Sequence, residues 1–172
     1  MNWKEEILLE LIKTLSNDPD WKKIAANIKN DKSSLSVHLA IFTEKLMKKL
    51  ISGEKKLESR FSNNFISPHG QIKKGDLVAV KKSGGAVTAV FIVGDVTSFQ
   101  NLNNARVMEL KKKYTTKLGL SGKDEFWTVK ADSKYATFIT VNNLKKIHPF
   151  FIGKKDRTSW VVIKAANEGV LF

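Results

Sequence analysis

Gly53-Glu54-Lys55-Lys56-Leu57-Glu58-Ser59-Arg60-Phe61-Ser62-Asn63-Asn64 is a dense polar run between apolar segments, and its reading decides the fold. The glycine stops a preceding helix, because it enters the left-handed region without a Cβ penalty. Lys55 therefore emerges at the turn into a strand expected over residues 56–62. Strand alternation puts Lys56, Glu58, Arg60 and Ser62 on one face and Leu57, Ser59 and Phe61 on the other. Facing into a barrel mouth, the first set presents a carboxylate, a guanidinium and an ammonium to a ligand. Facing outward, it is an edge strand with a Glu58–Arg60 ion pair worth little.

Upstream, Val37 to Phe42 reads as a short strand. Thr43 then caps a helix to about Ser52 that turns Leu46, Met47 and Leu50 inward. Further back, Trp3, Ile7, Leu8, Leu11, Ile12 and Leu15 recur at helical spacing behind an Asn2 cap. Asn17-Asp18-Pro19-Asp20 ends that helix, and a second runs from Trp21 to Ile28. Downstream, residues 63–74 form an irregular loop, Gly75-Asp76 turns into a strand over Leu77 to Val80, and Ser83-Gly84-Gly85 makes a hairpin with Val87 to Val96. A lysine-rich helix is expected over 103–118, a shorter one over 124–131, and strands over 135–141 and 159–164 around a loop at 148–158. Short strands with helices inserted irregularly predict an α+β fold, a small β-barrel with flanking helices. Residues 1–32 form an N-terminal helical extension to a main domain at 33–172.

Composition narrows the chemistry. The 172 residues carry 42% apolar and 27% charged side chains, ordinary for a globular chain. There is no cysteine, which removes disulfides, thiolate nucleophiles and sulfur-ligated metals, and the three histidines, His38, His69 and His148, are far apart in sequence. No metal and no cofactor is therefore expected. No apolar run is long enough to span a membrane, and the N-terminus lacks the features of a signal peptide, so a cytoplasmic protein is expected. A P-loop, a GxGxxG and a GxSxG are all missing. The formal net charge is +13 and 14 bases against 6 acids fall in residues 101–172, which points to a polyanionic partner, nucleic acid above all.

Gly53-x-Lys55-x-x-Glu58-x-Arg60, followed by Lys74-Gly75-Asp76-Leu77-Val78 and an apolar strand, resembles the ASCH (activating signal cointegrator homology) domain of the PUA-like superfamily. The resemblance covers about residues 36–165. It implies a small PUA-like β-barrel with a cleft lined by the GxKxxExR segment, and RNA or a modified nucleoside as ligand. Some small ASCH proteins hydrolyse N4-acetylcytidine with a Lys, a Thr and a Glu. The Lys matches Lys55, the Thr position is occupied by Glu58, and the Glu has no assigned counterpart. Other members resemble ribonucleases.

These residues define the candidate site. Lys55 and Glu58 are the catalytic candidates if the protein is an enzyme, with Lys55 as base or proton shuttle and Glu58 orienting it. Ligand-binding candidates are Lys55, Glu58, Ser59, Arg60, Ser62, Asn63 and Asn64, with Lys82 and Arg157 as phosphate contacts. The expected partner is RNA or a nucleotide or nucleoside. Amidohydrolysis of an N4-acylated cytidine nucleoside and ribonuclease activity are the alternatives. The oligomeric state is not set by the sequence.

Overall fold

Asn2 accepts from the backbone N–H groups of Lys4 and Glu5, and Glu5 answers to the Asn2 N–H, a capping box that starts helix α1 (Trp3–Ser16). Helix α2 (Lys22–Lys29) follows, then β1 (Val37–Phe42), α3 (Glu44–Ile51), β2 (Leu57–Ser62), β3 (Leu77–Lys82), β4 (Val87–Phe99), α4 (Asn104–Tyr114), α5 (Phe126–Lys130), β5 (Tyr135–Phe150) and β6 (Trp160–Lys164). The computed structural model describes residues 1–167; the last five residues of the expected 33–172 domain lie outside the described residues.

The sheet has six strands among the described residues, in the order β2-β5-β4-β3-β1-β6. β1 and β3 run parallel, and the other pairs are antiparallel. The long β4–β5 pair slips register three times, between Val87 and Ala89, Val90 and Ile92, and Val93 and Val96. Bulges of this kind bend a strand and raise its twist, and the sheet curls into a half-barrel. Gly94 serves the last bend: a Cβ there would lie 2.7 Å from Asn142 Nδ2.

One face of the curl packs Ala40, Phe42, Val78, Val80, Phe91, Ile139 and Trp160 under α3. Near β2 and β5, Leu57, Phe138 and Trp127 pack with Val107 and Leu110 of α4. Ile7, Leu11, Leu15, Ala25 and Ile28 of α1 and α2 share a cluster with Val37, Leu39, Leu77 and Ala79, so the N-terminal helices pack onto the sheet.

The largest departures from the sequence expectation are in two elements. α4 ends at Tyr114 rather than 118, with Thr115 as C-cap and its hydroxyl donating to the Lys111 carbonyl. β5 continues to Phe150, through Asn143 at φ +49. The stretch Asn142 to Pro149 hides that strand because it is half solvated and lysine-bearing, so its alternation is weak.

Candidate functional site

The turn after α3 builds the site. Gly53 adopts φ +80, and the Lys55 N–H donates back to the Lys49 carbonyl. The 117–119 segment then crosses over this turn. Lys117 O accepts from the N–H groups of Lys56 and Leu57, and a Cβ on Gly119 would stand 3.2 Å from that of Lys55. Lys55 is buried beneath this crossing, 4% exposed, with Nζ 3.4 Å from Leu118 O.

β2 then carries Glu58 and Arg60 on the face expected from its alternation. Lys55 Nζ lies 3.2 Å from Glu58 Oε2, and Arg60 Nε donates to Glu58 Oε1 at 2.7 Å. Glu58 is 3% exposed. Charge pairs it with Lys55, yet the angles leave Oε2 with no formed hydrogen bond. A buried carboxylate oxygen in that state seeks a donor.

Arg60 spans the gap between the two edges of the curled sheet. Its terminal nitrogens donate to Ile41 O at 3.1 Å and Ser159 O at 3.2 Å, and its Cζ lies 5.1 Å from the ring centroids of both Phe42 and Trp160. Three of its five N–H groups are thus used within the chain. Behind Trp160 the polar chain continues inward. Trp160 Nε1 donates to His38 Nδ1 at 3.2 Å, and His38 Nε2 faces Asp76 Oδ2 at 3.2 Å. An indole N–H can only donate, so Nδ1 is the acceptor and Nε2 carries the hydrogen toward Asp76, a neutral His38 tautomer. Burial pushes the Asp76 carboxyl up, but hydrogen bonds from His38, Lys73 and the Ser36 N–H outweigh it and hold the group below its usual range.

The remaining candidates are spread around this cluster. Ser59, paired with Phe138, lies on the opposite strand face beside Leu57. Ser62 continues the Glu58–Arg60 face, and its hydroxyl donates to Asn64 O at 2.6 Å; Asn63 and Asn64 are exposed. Lys82 is the register partner of Phe42, and its ammonium pairs with Glu44 at 3.1 Å. Arg157 is exposed, two residues before the Ser159 carbonyl that Arg60 holds.

Several neighbours escaped sequence reading. Lys130 is half-buried near the cluster. Its ammonium pKa is lowered by burial first and then by the Arg60 charge, against an opposing pull from Glu58. His69, read as an ordinary loop residue, is 6% exposed and bonded through Nδ1 to Thr137 Oγ1 at 3.1 Å. Thr137 is the register partner of Arg60. Five surface hollows of 380 to 710 Å³ open elsewhere on the molecule, and none of them is lined by Lys55, Glu58 or Arg60. Among the described residues no three His, Asp or Glu side chains gather as a metal site, and no helix is long and apolar enough to cross a membrane.

Solved structures share this arrangement of strands. An ASCH protein of Zymomonas mobilis superposes with a TM-score of 0.57 at 13% identity, covering 77% of this chain and 88% of that one. The fold is ASCH-like. A single-residue variant of the same protein gives 0.57 at 12% identity over 73% of this chain and 88% of that one. A protein of Enterococcus faecalis gives 0.50 at 10% identity over 74% and 86%. No family model matches the sequence, and no curated protein matches it. At these identities the likeness establishes the ASCH-like fold, with the curled sheet and flanking helices that carry Lys55, Glu58 and Arg60.

Proposed function

We propose that this protein binds RNA, or a modified nucleoside within it, at the cluster of Lys55, Glu58 and Arg60. The observation that carries the proposal is the buried Glu58 carboxylate, whose Oε1 accepts from Arg60 while its Oε2, 3.2 Å from the Lys55 ammonium, has no formed hydrogen bond. Such an oxygen accepts from an exocyclic amine or N-acyl amide on a base edge. The two uncommitted N–H groups of Arg60 suit a carbonyl or phosphate oxygen beside it. The chain's +13 charge supplies the sequence-independent attraction to the backbone. Fluorescence anisotropy with a labelled single-stranded RNA tests this. Affinity should fall steeply between 50 and 200 mM salt, by a slope of about 0.7 per phosphate contact, and Glu58→Gln should weaken it. Absent binding, or binding indifferent to salt, overturns it.

A second function is favoured by one proximity, the buried Lys55 ammonium 3.2 Å from Glu58 Oε2, which sets a candidate base beside a carboxylate that can orient it. It is amidohydrolysis of an N4-acylated cytidine nucleoside. Incubation with N4-acetylcytidine decides it: release of cytidine that disappears in Lys55→Ala supports it, and no turnover at high enzyme concentration rejects it.

A further inference from the structure

Phe65 is 60% exposed, yet its ring is held from several sides. Gly70, at φ +72, lies against it so closely that a Cβ would come within 2.7 Å of Phe65 Cζ. The rings of His69 and Tyr135 meet it edge-to-face, with centroids 4.8 and 5.7 Å away. His69 is anchored in turn to Thr137, and Tyr135 and Thr137 are the register partners of Ser62 and Arg60. The aromatic group therefore stands on the Glu58–Arg60 face of the sheet, further along the same pair of strands. The Lys134 N–H donates to Ser62 O at the end of that pair, and the cation on this same strand face is Arg60, register partner of Thr137.

An apolar ring left in water usually wanders between rotamers and must be ordered on binding. This one is already fixed, with one side open and the Arg60 guanidinium further along the same strand face. A base has an apolar face to cover the ring, and its backbone phosphates answer the chain's +13 charge, whereas an apolar peptide answers only the first. We propose that Phe65, braced by Gly70, His69 and Tyr135, is a stacking platform for one unpaired base of single-stranded RNA. The platform thereby adds single-strand selectivity to the site. It rests on the RNA-binding function proposed above.

The test uses anisotropy with a labelled 12-nucleotide single-stranded RNA and the full chain as wild type, Phe65→Ala and Phe65→Leu. Circular dichroism and melting curves confirm the fold, and Phe65→Leu retains an apolar contact on Gly70 if Phe65→Ala does not fold. Both Ala and Leu should weaken binding by about 5- to 150-fold, the size of one lost stack. The salt slope should not change in either variant, since no phosphate contact is removed. Wild-type affinity in Phe65→Ala, or in Phe65→Leu alone, overturns the platform while leaving RNA binding standing. A wild-type protein that binds no RNA overturns both.

Discussion

Glu58→Gln is the substitution that most directly probes the buried cluster. It is nearly isosteric, so packing is conserved and charge is what changes. Lys55 is 4% exposed, and Glu58 is its ion-pair partner among the described residues. Removing one member of a buried pair leaves the other charged, desolvated and uncompensated, which costs about 3–5 kcal/mol. Arg60 is affected less, because a glutamine oxygen still accepts from Nε and the bonds to Ile41 O and Ser159 O persist. The loss therefore concentrates on Lys55. For a chain of this size it corresponds to a Tm lowered by roughly 6–20 °C. Lys55→Met should cost less, since Glu58 keeps its 2.7 Å contact with Arg60. The double variant Lys55→Met/Glu58→Gln should be more stable than Glu58→Gln alone, because the orphaned ammonium is gone. Urea unfolding followed by tryptophan fluorescence and circular dichroism gives all four free energies. A Glu58→Gln protein within about 1 kcal/mol of wild type, or a strictly additive double variant, would refute the description of these residues as one compensated unit.

Arg60→Lys keeps the charge but cannot reach two carbonyls and lie against two rings at once; a loss of about 2–3 kcal/mol in urea unfolding is expected, and an unchanged midpoint contradicts the bridging role. Asp76 has its carboxyl held below the ordinary value of 3.8, so its contribution is complete above that pH and is lost as pH falls through the folded-state value. Wild-type stability should therefore drop below about pH 4 with a component that Asp76→Asn lacks, and the variant should already be weaker at neutral pH by about 1–3 kcal/mol; superimposable acid limbs would argue against it. Lys130 is the opposite case: its lowered pKa means that the charged form is disfavoured by folding, a penalty relieved as pH rises through its folded-state value. Lys130→Met should melt no lower than wild type and lose that alkaline gain in stability; a lower melting point counts against the assignment.

Local signals account for what was legible in the sequence. Asn2, Thr43, Gly53 and the Ser83-Gly84-Gly85 turn act over a few residues, and each does in the structure what its chemistry predicts. The alternation of β2 placed Glu58 and Arg60 on one face for the same reason. What the sequence concealed is contact between distant segments. Lys55 is buried by residues 117–119, which helical propensity assigned to the end of α4. His38 and Asp76 meet because β1 and β3 pair in parallel, a register no local pattern encodes. His69 has no acidic partner among the described residues, and its significance rests on a threonine 68 positions away.

The position of Arg60 ties the stability of this fold to the binding proposed for it. β2 and β6 are the two ends of the sheet, and curling brings them face to face without a backbone ladder between them. Unpaired edges are a liability, and here the span is made by one guanidinium, through two carbonyls and two rings. A lysine could not occupy that place, having a point charge and no planar fork. The same planarity leaves two N–H groups uncommitted beside the under-satisfied Glu58 Oε2. A ligand can therefore use Arg60 without releasing the edges it joins. Because Trp160 connects Arg60 to the His38–Asp76 pair, the orientation of the guanidinium is fixed before any ligand arrives. A donor and an acceptor held ready in this way need no reordering on contact, which is the condition under which a small, buried polar cluster can discriminate between bases.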